Sequence, residues 1–377
     1  MKHILRQTAL TFVSFAFLYA TLGALSFLMF PESASEGQRD FQNAEQTLYM
    51  TVPKYVFLGH GVLNSPTEKA ILIGASNTGV GFIQKTVQSK LACAKVSNLA
   101  VGGANISEVK QIIDLVHQVQ RPADWSSNTF VIGVSFGMFI DSDVKYSDPD
   151  RNRGETDIDL EKYRYGFYRR TPEGPVALLP DNWLDAGVLA IRPILVTEKI
   201  AREIRAGVNL LRTGRRSAQR NEAEREVASM SEQDKKKALD YWNEAMGTKG
   251  EISLGQVALL KDTIDTLLRS GERVVLVDLP IPAWHRDASP FQRGYEQAFA
   301  DLSGQFAGQR NFVSMSMSDD LSREQDYSDE AHPKPHLANV WSDRLANVLN
   351  SFVCHANPEA AHVSLRGSDQ SSAATHP

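Results

Sequence analysis

From Thr8 to Phe30 the chain carries no charged residue, a run long enough to cross a hydrocarbon core of about 30 Å at about 1.5 Å per helical residue. A polar connector follows over 31–66, with a short amphipathic piece at Tyr55-Val56-Phe57-Leu58. Beyond it, short apolar runs alternate with longer stretches of helical periodicity. Ala70 to Gly74, Lys95 to Leu99, Thr129 to Val134, Arg273 to Leu279 and Asn311 to Ser314 read as strands. Gly79 to Leu91, Ile106 to Val119, Leu254 to Arg269, Phe291 to Phe306 and His336 to Phe352 read as helices. In the second of these, Val109, Ile112, Ile113 and Val116 fall on one face. Such alternation predicts an α/β fold with a mostly parallel sheet covered by helices on both faces.

The alternation breaks between about 141 and 250. An aromatic-basic stretch (Tyr163, Tyr165, Phe167, Tyr168, Arg169, Arg170) leads into a long helical segment from about Leu184 to Met246, which carries Arg202, Arg205, Arg212, Arg215, Arg216, Arg220 and Arg225. A solvated helix face accounts for such a charge run. The functional reading is a cap over the active end of the sheet, its arginines turned toward an anionic lipid or sugar surface. The expected organisation is a cytoplasmic tip and anchor at 1–30, the connector at 31–66, an α/β domain at 67–355 with its helical insertion, and a tail at 356–377 whose Ser364–Pro377 part reads as disordered.

With 377 residues, 42% of them hydrophobic, the chain can bury a sizeable core, and a disordered or fibrous chain is excluded. A net charge of -5 offers no footprint for nucleic acid. Lys2 and Arg6 precede the apolar run, while Glu32, Glu36 and Asp40 follow it. That asymmetry puts the N-terminus in the cytoplasm and the main domain outside, in a periplasm-like compartment. A cleaved signal with its site near Ala24-Leu25-Ser26 is the alternative; the length of the run favours an anchor.

The first strand ends in Gly74-Ala75-Ser76-Asn77-Thr78-Gly79. A serine at a strand-to-helix turn is well placed as a nucleophile, with its own amide near a helix start; as a plain helix cap it needs no chemistry. The second strand ends in Asn98-Leu99-Ala100-Val101-Gly102-Gly103-Ala104-Asn105, where paired glycines bring a backbone amide close to a ligand or merely make a turn. Near the C-terminus, Asp329-Glu330-Ala331-His332 puts a carboxylate where it can orient an imidazole. After the fourth strand, Pro280-Ile281-Pro282-Ala283-Trp284-His285 reads as a stiff loop in which Trp284 and His285 could meet substrate, or pack beneath it.

Taken in order, these blocks resemble the SGNH (GDSL-type) hydrolase and acyltransferase superfamily. The resemblance implies a flavodoxin-like parallel sheet, with Ser76 as nucleophile, Asp329 and His332 as acid and base, and Ser76 and Gly103 as oxyanion-hole donors. Two departures stand out. The first block reads GASN, and Ser135 stands where the third block has asparagine; Ser135, Asn77 or Asn105 could substitute. With an N-terminal anchor, the chain looks like proteins that O-acetylate exported polysaccharides or transfer D-alanyl groups to teichoic acids. The resemblance thus implies esterase or O-acyltransferase activity on an acylated envelope polysaccharide, in company with the membrane and a membrane-bound O-acyltransferase. A non-catalytic scaffold that binds polysaccharide or that acyltransferase is the rival. The histidines lack the spacing of a metal site, and no metal or cofactor is expected.

Cys93 closes the first helix and Cys354 the last. In a parallel α/β layout such helix ends gather on the face away from the site, so an exported chain can bridge them. Two free buried thiols are the alternative.

Overall fold

The computed structural model describes residues 2–29, 56, 63–165, 168–178, 180, 183–213, 222–246, 250–318 and 323–354. Five strands form the central sheet: β1 (Glu68–Gly74), β2 (Ala94–Asn98), β3 (Asn128–Val134), β6 (Arg273–Asp278) and β7 (Phe312–Ser316); β4 (Tyr168–Thr171) and β5 (Gly174–Ala177) make a separate hairpin. The sheet order is β2-β1-β3-β6-β7 and every pairing in it is parallel. Among the described helices are α1 (Lys2–Met29), α2 (Ser76–Gly81), α3 (Gln84–Lys90), α4 (Ile106–Val119), α5 (Ser142–Lys145), α6 (Asp157–Tyr165) and α7 (Leu184–Thr213). They continue with α8 (Glu222–Val227), α9 (Glu232–Ala245), α10 (Leu254–Arg269), α11 (Ala283–Ala288), α12 (Gln292–Phe306) and α13 (Pro335–Leu349).

The strands are apolar on both faces because each face carries its own helix layer. Ile71, Ile73, Phe130, Ile132, Val274 and Leu276 point into one core with α4, α10 and α12. Their neighbours Ala70, Leu72, Val131, Val275 and Val277 point into the other, filled by Val87 of α3, Leu91 at its C-cap, and Trp341 and Leu345 of α13. The strand order reverses between β1 and β3, and in open α/β sheets the crevice beyond the strand C-termini at such a reversal is the usual ligand site.

The expected helix over 79–91 is two short ones. Phe82 and Ile83 take extended backbone between α2 and α3, Phe82 is buried, and the Ile83 amide donates to the Ser342 hydroxyl at 2.8 Å. Gly79 and Gly81 weaken the helix, so a buried aromatic and a tertiary hydrogen bond break it. Among the described residues the expected long helical segment likewise holds three helices, α7, α8 and α9, and the aromatic-basic stretch ends in the β4–β5 hairpin. The connector at 31–66 lies outside the described residues apart from Val56, Leu63, Asn64, Ser65 and Pro66, and the tail from 355 lies wholly outside them.

Cys93 and Cys354 form a disulfide with a Cα–Cα distance of 5.6 Å. Cys93 immediately precedes β2, so the bridge ties the C-terminal helix to the sheet edge opposite Gly74. At the N-terminus, α1 is long and apolar enough to cross a membrane by length and composition. Its last turns pack on α7: Tyr19 donates to the Ala190 carbonyl, and the buried Arg192 donates to the Ser26 hydroxyl at 3.0 Å.

Candidate active site

The turn after β1 is shaped by Gly74, whose φ of 156° and surroundings admit no side chain: a Cβ there would meet the Thr78 hydroxyl and the Gly133 carbonyl at 2.1 and 2.5 Å. Gly74 pairs with Gly133 in the sheet, and Thr78 nests against both, donating to the Gly133 carbonyl at 3.2 Å. Ser76 is thereby fixed as the first residue of α2, directly above the β1–β3 boundary. Its amide belongs to the helix's first turn, where amides lack an intrahelical acceptor.

His332 reaches Ser76 from the far end of the sequence. Its Nε2 lies 2.7 Å from Ser76 Oγ, and its Nδ1 lies 2.9 Å from each oxygen of Asp329. An ionised carboxylate only accepts, so Nδ1 carries the proton toward Asp329 and Nε2 accepts from the serine hydroxyl. Burial works against the charge of Asp329. The His332 ring and the amides of Ala331 and His332 outweigh it and hold the carboxyl below its usual pKa. The group is therefore an anion at neutral pH.

The loop that holds this pair is braced from several directions. Ser328 and Lys334 close it through backbone hydrogen bonds to His332 and Asp326, at 2.9 and 2.8 Å. Tyr327 donates to the Pro280 carbonyl at 3.1 Å. His285 donates through Nδ1 to the Glu330 carbonyl at 2.8 Å; burial pushes its pKa below the ordinary imidazole value, with the Glu330 bond opposing. From the insertion, Arg225 of α8 donates to the Pro333 carbonyl at 2.6 Å, and Glu226 pairs with His336 at the start of α13.

Of the residues expected to supply an oxyanion hole, Gly103 sits at φ 70° in the loop after β2, with nothing within 4 Å of where a Cβ would stand. Lys145 of α5 donates to the Gly103 carbonyl and, at 2.7 Å, to the buried Glu108. Asn77 donates through its amide to Ser135 Oγ at 2.9 Å, and both residues are buried. Since that oxygen already accepts, the Ser135 hydroxyl proton is free to point elsewhere, and one of the two Asn77 amide protons is committed to Ser135.

Asn105 does not suit the role. It is the N-cap of α4: its Oδ1 accepts from the Glu108 amide, its own backbone amide donates to the Glu108 carboxylate, and its Nδ2 donates to the Ile140 carbonyl and the Ser142 hydroxyl at 3.2 and 2.9 Å. Asn105 and Glu108 stand three apart, the spacing of a capping box, and that signal was present in the sequence. His285 also departs from expectation. It is only 1% exposed and braces the loop that holds His332, so it does not line an open surface. Trp284 is partly exposed, stacks on the His285 ring and lies under the Lys235 ammonium.

The insertion meets the same edge of the sheet a second time. Trp242 of α9 packs edge-on against Phe136, the second residue after β3, and tilts against His285. A Cβ on Gly137 would strike that indole. Arg205 and Arg212 are exposed, Arg225 braces the loop, and Arg215, Arg216 and Arg220 lie outside the described residues. Among the described residues no group of three His, Cys, Asp or Glu side chains is arranged to hold a metal ion.

The arrangement is a hydroxyl, an imidazole and a carboxylate in hydrogen-bonded series at the switch point of a parallel α/β sheet. No protein-family model matches the chain, and no curated protein matches it.

Proposed function

We propose that the protein is a serine-dependent esterase or O-acyltransferase of the SGNH type, held to the membrane by α1 with its α/β domain on the extracytoplasmic side. The observation that carries this reading is the contact of His332 with both Ser76 and Asp329. Ser76 Oγ attacks an ester carbonyl as its proton passes to His332 Nε2, and Asp329 stabilises the imidazolium. The oxyanion of the tetrahedral intermediate receives the amides of Ser76 and Gly103, with the Ser135 hydroxyl in the position of the family's asparagine. Collapse expels the alcohol, which takes the proton from His332, and leaves an acyl-serine. Water or a sugar hydroxyl then gives up its proton to His332 and attacks the acyl carbon; collapse breaks the bond to Ser76 Oγ, which takes the proton back from His332, releasing acid or a new ester.

The substrates are acyl groups, acetyl first among them, on an envelope or exported polysaccharide, with the exposed part of Trp284 as a stacking surface for a sugar ring. The lysine and arginine before the apolar run and the acids after it support the orientation. The rival reading, a scaffold without turnover, draws on Ser135 in place of asparagine. Hydrolysis of p-nitrophenyl acetate by the full-length protein separates the two. A rate above background that disappears in Ser76→Ala supports the enzyme; an undiminished rate in that variant removes the assignment of Ser76.

A further inference from the structure

The insertion carries an apolar ridge that the other described residues leave uncovered. On α7, Ile200, Ile204, Val208 and Leu211 recur every three or four residues, so they share one face. Leu189 lies three turns earlier on that same line. All five are exposed, Ile204 by 61% and Leu211 by 87%. A ridge of this length is uncommon on a soluble monomer and marks a surface that meets something apolar.

The position of α7 identifies what that is. Arg192, 2% exposed, is wedged against the end of α1. Its guanidinium donates to Ser26 and sits 4.2 Å from the centre of the Phe27 ring, while Pro193 lies beside Gly23. The N-terminal half of α7 is thus fixed at the end of the apolar helix, the level at which a spanning segment leaves the hydrocarbon for the headgroups. The apolar side chains of α1 are themselves exposed, Phe12 by 72% and Phe17 by 74%, so the two uncovered surfaces belong to packed neighbours. Charge adds to this: α7 carries Arg192, Lys199, Arg202, Arg205 and Arg212 against Asp185, Glu198 and Glu203, and Arg215, Arg216 and Arg220 follow it in the sequence. An apolar face with a basic remainder is the composition of a helix lying in the interface of an anionic bilayer.

We infer that α7 is such an interfacial helix, seated through Ile200, Ile204, Val208 and Leu211 in the leaflet from which the main domain projects. This rests on the reading of α1 as membrane-spanning. A leaflet contact on α7 also puts the following helix, α8, and with it Arg225 and the His332 loop, within a short chain distance of the membrane surface.

The test uses the full chain in nanodiscs of phosphatidylcholine and phosphatidylglycerol, with the native disulfide kept. A single environment-sensitive dye is placed at Leu211→Cys, Ile204→Cys, Phe15→Cys on α1 or Thr266→Cys on α10, and quenching by doxyl-labelled lipid is read. The expected result is quenching at Leu211 and Ile204 at least about threefold stronger than at Thr266, and stronger with phosphatidylglycerol than without it. Quenching at Phe15 with none at Leu211 and Ile204 overturns the inference and leaves the anchor standing. No quenching at Phe15 overturns the anchor and the inference together. A blue-shifted dye on α7 that lipid quenchers do not reach, and whose signal follows the number of copies per disc, assigns the ridge to a second copy and also overturns it.

Discussion

Asn77 hands its side-chain amide to the hydroxyl of Ser135 at 2.9 Å, across the paired ends of β1 and β3. The residue after the proposed nucleophile therefore orients the residue proposed as a further oxyanion donor. If the Ser135 proton meets the oxyanion, Ser135→Ala lowers kcat for a small ester by about 10- to 10²-fold, somewhat less than the loss of a strong oxyanion donor. KM should change little. Steady-state kinetics on p-nitrophenyl acetate check this, and an unchanged kcat takes Ser135 out of the mechanism.

Asp329→Asn keeps the oxygen that accepts from the Ala331 and His332 amides, so the loop retains its shape. It turns an N–H toward His332 Nδ1, forcing the proton to Nε2, where it faces Ser76. Activity should fall by up to about 10⁴-fold, while the melting temperature stays within a few degrees of wild type. A calorimetric scan beside the ester assay separates this outcome from simple unfolding.

Lys145 ties the Gly103 carbonyl to the buried Glu108. Its removal alone would leave a buried charge unpaired, so the informative variant is Lys145→Met with Glu108→Gln, which keeps the cap on Asn105. The Gly103 loop then loses its tether, and kcat should drop about 10-fold, below the about 10²–10³ of losing an oxyanion donor outright. KM for the small ester should hold. Equal changes in kcat and KM would point to a role in substrate binding.

The fold was legible where one signal decided each element. The apolar runs at Ala70–Ile73 and Thr129–Val134 have no strong competitor as buried strands, and Ile106–Val119 carries both a period and a cap. The break at Phe82–Ile83 was not legible, because it depends on Ser342, which is distant in sequence. The same contrast holds in the site. Ser76, Asp329 and His332 carry local patterns, a turn serine and an Asp-x-x-His loop. Arg225, Lys145 and the loop-bracing role of His285 carry none, because each acts through a carbonyl that any residue could offer.

Asp278 at the end of β6 gives a test by pH. Burial raises its pKa above the usual carboxylate value, although Ser316 and Tyr295 hydrogen-bond to it. The native state therefore holds its proton more tightly than the unfolded chain. Stability from this group is fully present below the unfolded value of about 3.9 and is lost as pH rises through the higher native value. The melting temperature of wild type relative to Asp278→Asn should accordingly decline from about pH 4 upward. A difference that is flat or grows with pH contradicts the raised value.

The central claim is that the hydroxyl of Ser76 is activated by His332. Intact-mass and peptide mapping of the full-length protein after exposure to a fluorophosphonate test it most directly. One adduct, on Ser76, lost in Ser76→Ala and strongly slowed in His332→Ala, is the result expected. An unlabelled wild type, or an adduct that persists in Ser76→Ala, contradicts it.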